Sequence, residues 1–288
     1  MNNSKLELTG ESLRGYLLWL ALPLIAGILI AALIPQPVVG LINLNTSIDA
    51  SSAKDLIAQI DYARTHSEVR AIVLMLDSPG GTVTDTEAVY LEILKLRKSK
   101  PVVTSINSMA ASGAYYLTVG TDYVFAKPTS EVGNIGVIGY LPPAPTIFEG
   151  IISTGPYKLW GTPRDTYVRQ IEMIKQGFFE AVKAGRGDRL KAGPDVVLSG
   201  QIWPGSEGLQ LGLIDELGAQ SDAIEKAASL GHISNFKTEN LGLLALSQPA
   251  TTPTYQFFAT SSQGVTLPYP KEPGIYMLYI PPMSPEQK

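Results

Sequence analysis

From Val38 onward the sequence alternates short, β-branched apolar runs with segments of helical periodicity, and this rhythm constrains the fold more than any other feature. VVGLINLNTSI begins at Val38 and is followed by a helical stretch near Ala53 to Ala63. AIVLMLD is followed by a second near Asp85 to Leu96, and PVVTSIN by a third near Ser112 to Val119. Uninterrupted apolar runs of this length suit strands buried on both faces, and the helical segments between them suit crossovers, so the pattern predicts an α/β domain with parallel strands. YVFAKP and NIGVIG read as further short strands. A later helix begins after Thr162-Pro163-Arg164-Asp165, with Tyr167, Ile171, Ile174, Phe178 and Val182 as its core-facing stripe. Helices near Ser206 to Leu211 and Ser221 to Leu230 complete a compact unit near Gly231, and residues 232–288 read as an irregular or short-stranded extension of unreadable role.

Ahead of this unit, Tyr16 to Ile34 read YLLWLALPLIAGILIAALI, without a charge. As one helix the run would rise roughly 28 Å, close to a hydrocarbon core, and it is long for a signal-peptide h-region. The expectation is a transmembrane anchor over 16–34 after a short segment 1–15. Lys5 and Arg14 precede the run and only Lys54 follows it closely, so the basic residues favour a single-pass protein in the cell membrane with its large domain outside the cytoplasm.

Composition narrows the chemistry. The 288 residues include no cysteine and two histidines, His66 and His232, which removes thiol nucleophiles, disulfides, thiolate metal sites and a His-rich zinc site. With 22 basic against 26 acidic residues there is no broad positive field for a nucleic-acid backbone.

Two motifs remain. Asp77-Ser78-Pro79-Gly80-Gly81 follows an apolar strand, and its paired glycines let backbone N–H groups approach a ligand; it is either an oxyanion or phosphate nest or a tight turn. It lacks the spacing of a dinucleotide fingerprint or a P-loop. Met109-Ala110-Ala111-Ser112-Gly113-Ala114-Tyr115-Tyr116 places a serine at the start of a helix, where the Gly113 N–H could stabilise an oxyanion formed by serine attack; the alternative is an ordinary serine N-cap. A serine nucleophile needs a base. His66 lies in a polar connection and His232 follows the apparent end of the unit, so lysine is the remaining sensible choice. Lys158 stands out in Ser153-Thr154-Gly155-Pro156-Tyr157-Lys158, where partial burial would favour its neutral amine; Lys95, Arg97, Lys98 and Lys100 read as a solvated charge cluster.

At these residues the chain resembles the signal peptide peptidase SppA family, the S49 serine peptidases of the ClpP/crotonase-like superfamily. The resemblance covers roughly 38–231 and rests on the order and spacing of DSPGG at Asp77 to Gly81, AASGAYY at Ala110 to Tyr116, VGNIGVIG at Val132 to Gly139, STGPYK at Ser153 to Lys158 and GQIWPGSEGLQLGLIDELG at Gly200 to Gly218. It implies a repeated ββα-type core, Ser112 as nucleophile, Lys158 as general base, backbone N–H groups of Gly113 and Gly81 as the oxyanion hole, and no metal or cofactor. Asn134 stands where the family's GSIG pattern has a serine that orients the lysine, and its side-chain carbonyl is the candidate replacement. The family assembles into homo-oligomeric rings in which neighbouring subunits can complete a site, and its substrates include signal-peptide remnants. The expected function is a membrane-tethered serine endopeptidase acting on signal peptides or other hydrophobic polypeptides at the membrane. The alternatives are a catalytically weak membrane scaffold that binds peptides, and crotonase-like acyl-CoA chemistry.

Overall fold

The computed structural model describes residues 19–29, 36–139, 154–158 and 161–246, together with the backbone of 258–260, 266–270 and 275–278. Residues 19–29 are helical and are labelled α1. Among the described residues no helix is long and apolar enough to cross a membrane. The transmembrane anchor expected over 16–34 is therefore corrected. With it go the N-terminal transmembrane helix of the fold class, the membrane-tethered function, the membrane as a partner and the single-pass cell-membrane localisation. Residues 1–18 and 30–35 lie outside the described residues.

From Val38 the chain forms a mixed α/β fold. In chain order it runs β1 (Val38–Leu44), α2 (Ala50–Thr65), β2 (Val69–Ser78), β3 (Gly80–Thr82), α3 (Val83–Arg97), β4 (Val102–Ala111), α4 (Gly113–Thr118), β5 (Tyr123–Ala126), β6 (Glu131–Gly133) and β7 (Ile138–Gly139). Then come α5 (Arg164–Arg186), a 3-10 turn (Gly187–Arg189), α6 (Pro194–Val197), β8 (Ile202–Pro204), α7 (Gly205–Leu211), β9 (Glu216–Leu217), α8 (Gln220–Leu230), β10 (Lys237–Asn240) and α9 (Leu241–Ala245). Three short strands close the order: β11 (Phe258–Thr260), β12 (Thr266–Pro270) and β13 (Ile275–Leu278).

The main sheet has the strand order β10-β1-β2-β4-β5-β9, all neighbours parallel. Alternate residues of one strand enter different cores. Ile72 and Leu74 join the larger cluster with Leu56, Ile60, Val89 and Ile93 of α2 and α3, whereas Ala71 and Val73 join the smaller one with Ala223, Ala227 and Ala228 of α8. Two-sided burial is why these strands read as continuous apolar runs. A fully buried aliphatic side chain stabilises by roughly 1.5–3 kcal/mol, so the three central strands hold the scaffold.

Helix α2 starts at Ala50, three residues before the expected segment, because Asp49 caps it. Its carboxylate accepts from the Ser51 and Ser52 N–H groups while the Asp49 N–H donates to Ser52 Oγ. The strand expected at NIGVIG is displaced: pairing covers Glu131–Gly133 and Ile138–Gly139, and Asn134 to Val137 are irregular. The sheet also runs past Gly231, since β10 pairs with the outer edge of β1 and buried Leu241 packs against Gly40.

Strand β4 positions the site. Its first half, Val103 to Ile106, pairs with β5, and its last three residues, Met109 to Ala111, pair with β6, which is antiparallel to β8. The register shift against β2 between Leu76 and Ser78 falls at the same level. The carboxyl ends of β2 and β4 thus lead into the DSPGG and AASGAYY segments side by side, as parallel topology requires.

Candidate active site

Ser112 is the single residue between β4 and α4. It is 1% exposed and has φ 54° and ψ −119°, a region that a residue with a Cβ rarely enters. The turn is held on both sides. The Ser112 N–H donates to Gly133 O at 2.8 Å, and the Ser112 carbonyl accepts from Tyr116 N–H at 2.9 Å. Its hydroxyl makes no capping bond to α4. The ordinary cap, one of the two readings of this serine, is therefore absent, and a strained backbone holds a hydroxyl that the helix does not use.

The residues after Ser112 anchor the turn. Tyr115 is fully buried and donates from its hydroxyl to Leu213 O at 2.9 Å. Burial pushes that hydroxyl well above the ordinary tyrosine pKa, and the nearby Arg186 cation opposes the rise. Tyr116 lies against Phe178 of α5 with the rings tilted by 59° and meets Tyr90 of α3 edge-on. Its hydroxyl is pushed up to about 12, first by burial and then by Glu87 and Tyr90. The loop that receives the Tyr115 bond is itself tied down. Buried Arg186 makes a two-pronged ion pair with Asp215 at 2.8 and 2.9 Å and donates from Nε to Gly212 O. Asp215 also accepts from Val124 N–H at 2.8 Å and from Arg189 at 2.9 Å. Sequence reasoning missed this pair. Arg186 and Asp215 lie on separate segments 29 residues apart, and nothing local in the sequence marks them as partners.

Gly113 opens α4 and is buried, so its N–H lies next to the Ser112 hydroxyl along the chain. Gly81 lies in β3, where a Cβ would stand 1.8 Å from Ile48 O, so only glycine fits. Ile48 N–H donates to Gly80 O and Thr82 N–H to Ile48 O, which leaves the Gly81 N–H and carbonyl directed to the other edge of β3. Ser78 is fully buried and accepts from the Gly80 N–H at 3.2 Å, so the glycine turn is braced from within.

Asn134 follows Gly133, the residue that holds the Ser112 N–H, and so lies one step along the chain from that contact. It has φ 51°, a left-handed conformation that asparagine tolerates better than most residues. Its backbone N–H donates to Gln201 O and its side-chain Nδ2 to Gly200 O, both at 2.7 Å. Lys158 is placed otherwise than expected. It is exposed rather than partly buried, in a turn over 154–158 whose backbone bonds are Lys158 N–H to Gly155 O and Gly161 N–H to Tyr157 O. Among the described residues no hydrogen bond joins it to Ser112. Ser153 lies outside the described residues. Neither histidine approaches Ser112 through a hydrogen bond: His66 caps α2 and stacks on Tyr62, and His232 sits in the turn after α8.

The sequence profile of peptidase family S49 matches residues 95–234, which contain Ser112, Asn134, Lys158 and the Arg186–Asp215 pair. The chain belongs to peptidase family S49. The profile of Clp protease matches residues 38–132, so the two together span the α/β unit. Among the relatives of this S49 chain, Protease 4 of Haemophilus influenzae is 32% identical over 197 residues, which are 63% of this chain and 32% of the relative. Protease 4 of Salmonella typhi is 32% identical over 193 residues, 62% of this chain and 31% of the relative. The chloroplastic serine protease SPPA of Arabidopsis thaliana is 29% identical over 223 residues, 73% of this chain and 33% of the relative. The matched region spans about a third of the length of each of these relatives. What this S49 chain shares with them is a serine-peptidase-like domain.

Proposed function

We propose that this chain is a serine endopeptidase in which Ser112 is the nucleophile, the Gly113 and Gly81 N–H groups receive the oxyanion, and Lys158 is the general base. The observation that carries this reading is the Ser112 turn: a buried serine, in a backbone conformation costing about 1–3 kcal/mol, whose hydroxyl caps nothing. In the reaction, neutral Lys158 takes the Ser112 proton as Oγ attacks a peptide carbonyl, and the negative charge forms on the carbonyl oxygen between the two N–H groups. Lys158 returns the proton to the departing amine. Water, deprotonated by the same lysine, then attacks the acyl-serine and frees the carboxylate product and Ser112.

The substrates are extended peptide segments, with signal-peptide remnants among them, in line with the family resemblance. Exposed Lys158 makes no hydrogen bond to Ser112 among the described residues of one chain, so the base is delivered by the 154–158 turn of a second copy in a homo-oligomeric ring. Asn134, fixed against Gly200 and Gln201, is the candidate for orienting the incoming amine.

Purified Ser112→Ala and Lys158→Met proteins, assayed separately on a fluorogenic peptide, should each lose at least about a thousandfold in kcat. Mixed in equal amounts and allowed to exchange subunits, they should recover about a quarter of wild-type activity, because one site in four pairs an intact serine with a neighbour's intact lysine. Near-wild-type hydrolysis by either variant alone would overturn the dyad, and an inactive mixture would overturn delivery between copies.

A further inference from the structure

β13 (Ile275–Leu278) does not belong to the main sheet. It lies between β3 and β7 in a separate three-stranded sheet of order β3-β13-β7, antiparallel to both. Without it, the three residues of β3 and the two of β7 would be two short edges that pair with nothing opposite each other. They bound a slot one strand wide. The backbone of β13 also lies close to α4, the helix that follows Ser112, and to α3.

The register locates the backbone. Tyr276 stands opposite Thr82, Met277 opposite Gly81 and Leu278 opposite Gly80, while on the other side Tyr276 stands opposite Ile138 and Ile275 opposite Gly139. Gly80 O and Thr82 N–H are already engaged with Ile48, so Gly81 turns its N–H and carbonyl toward Met277. Strand alternation then sends the Met277 N–H and carbonyl to β3 and those of Tyr276 to β7, which matches both pairings. The Met277 carbonyl thus faces the Gly81 N–H, the group assigned to the oxyanion.

We propose that Ile275–Leu278 is a built-in competitor, held in the slot as an antiparallel strand in the register a peptide substrate takes, and that its release admits substrate. The proposal rests on the peptidase reading for the word substrate, but the occupancy of the slot is independent of it. Strand addition at a sheet edge draws its affinity from main-chain bonds, so it needs no particular tail sequence. A tethered occupant competes at an effective concentration of about millimolar, enough to mask weakly binding peptides.

The absence of native cysteine makes the register testable in the full chain. Thr82 and Tyr276 form a pair that is not hydrogen-bonded, with Cα atoms about 4.5 Å apart in such ladders, a span that a disulfide bridges. Thr82→Cys/Tyr276→Cys should form an intramolecular disulfide under mild oxidation, seen by mass spectrometry. Oxidised protein should bind a fluorescein-labelled peptide of residues 273–280 at least tenfold more weakly than the reduced form, by anisotropy, and its peptide hydrolysis should fall at least tenfold and return with reductant. Tyr276→Pro/Met277→Pro, which removes both strand N–H groups, should lower KM at least threefold with kcat within twofold of wild type. Failure of the disulfide to form, a disulfide joining two chains, or an unchanged KM in the proline variant would overturn the proposal. A disulfide that forms and blocks peptide binding, in a protein that hydrolyses nothing, would uphold the occupancy and overturn the peptidase reading alone.

Discussion

Ser112 and Lys158 sit on turns of opposite construction. The Ser112 turn is buried between two parallel strands and a helix, tied by its own N–H to Gly133 and through Tyr115 to Leu213, behind which the Arg186–Asp215 ion pair closes the loop. The Lys158 turn is exposed and carries two backbone bonds across 155–161. A strained nucleophile needs a surrounding that over-determines its backbone, because the conformation is unfavourable by itself. A base that must approach, deprotonate and re-protonate needs reach more than support. The two halves of the proposed dyad therefore differ in what their substitution should do to stability, and that difference can be measured.

The largest effect is expected at the far end of the Ser112 scaffold. Asp215→Ala leaves the Arg186 guanidinium buried without its carboxylate and frees the Val124 N–H, so unfolding free energy should drop by about 3–5 kcal/mol in urea titrations. Arg189 reaches the same carboxylate from the surface, where ion pairs contribute little, and Arg189→Ala should cost less than about 1 kcal/mol. Equal losses for the two variants would mean that the buried prongs do not brace the Leu213 loop.

A smaller effect is expected one step nearer the serine. Tyr115→Phe removes the hydroxyl that satisfies Leu213 O and should cost about 1–3 kcal/mol, with a fall in kcat because the Ser112 turn loses its tie. The same group gives a pH signature. Burial raises the folded-state pKa of Tyr115 and Tyr116 above the ordinary value of 10.0, so the folded chain holds these protons more tightly than the unfolded one. Their contribution is fully present below pH 10 and is lost as pH rises, for Tyr116 across the interval to about 12. Urea midpoints should fall more shallowly between pH 10 and 12 in Tyr115→Phe and Tyr116→Phe than in the wild type, and parallel curves would show that the hydroxyls are not protected by the fold.

The same contrast explains which parts of the molecule were legible in the sequence. Strands β1, β2 and β4 were readable because both their faces are buried, which forces uninterrupted apolar runs. Ser112 and Gly81 were readable because tight turns with close backbone approach restrict residue choice to a few small types. The start of α2 was misplaced by three residues because its box is closed by a serine at Ser52 rather than a glutamate. Arg186 and Asp215 are partners brought together by the packing of α5 against α4, and no local period marks such a pair. The partial burial expected for Lys158 came from its apolar neighbours in sequence, yet exposure depends on what the tertiary fold sets against the turn. β10 and β13 pair with strands about 200 residues earlier, and such short segments carry no signal for a partner that distant.

The smallest stability effect is expected at Lys158 itself. Among the described residues its ammonium has no ion pair or hydrogen bond, and the side chain is exposed, so truncation removes neither packing nor a charge partner. Surface changes of this kind usually stay within about 0.5 kcal/mol. Lys158→Met should therefore unfold at the wild-type urea midpoint while hydrolysis is lost, whereas Asp215→Ala should lose both together. If Lys158→Met instead destabilised the dissociated single chain by more than about 1 kcal/mol, the lysine would be packed against its own fold. The contrast between a supported nucleophile and an unsupported base would then fail, and with it the reason for having the base arrive from a neighbouring copy.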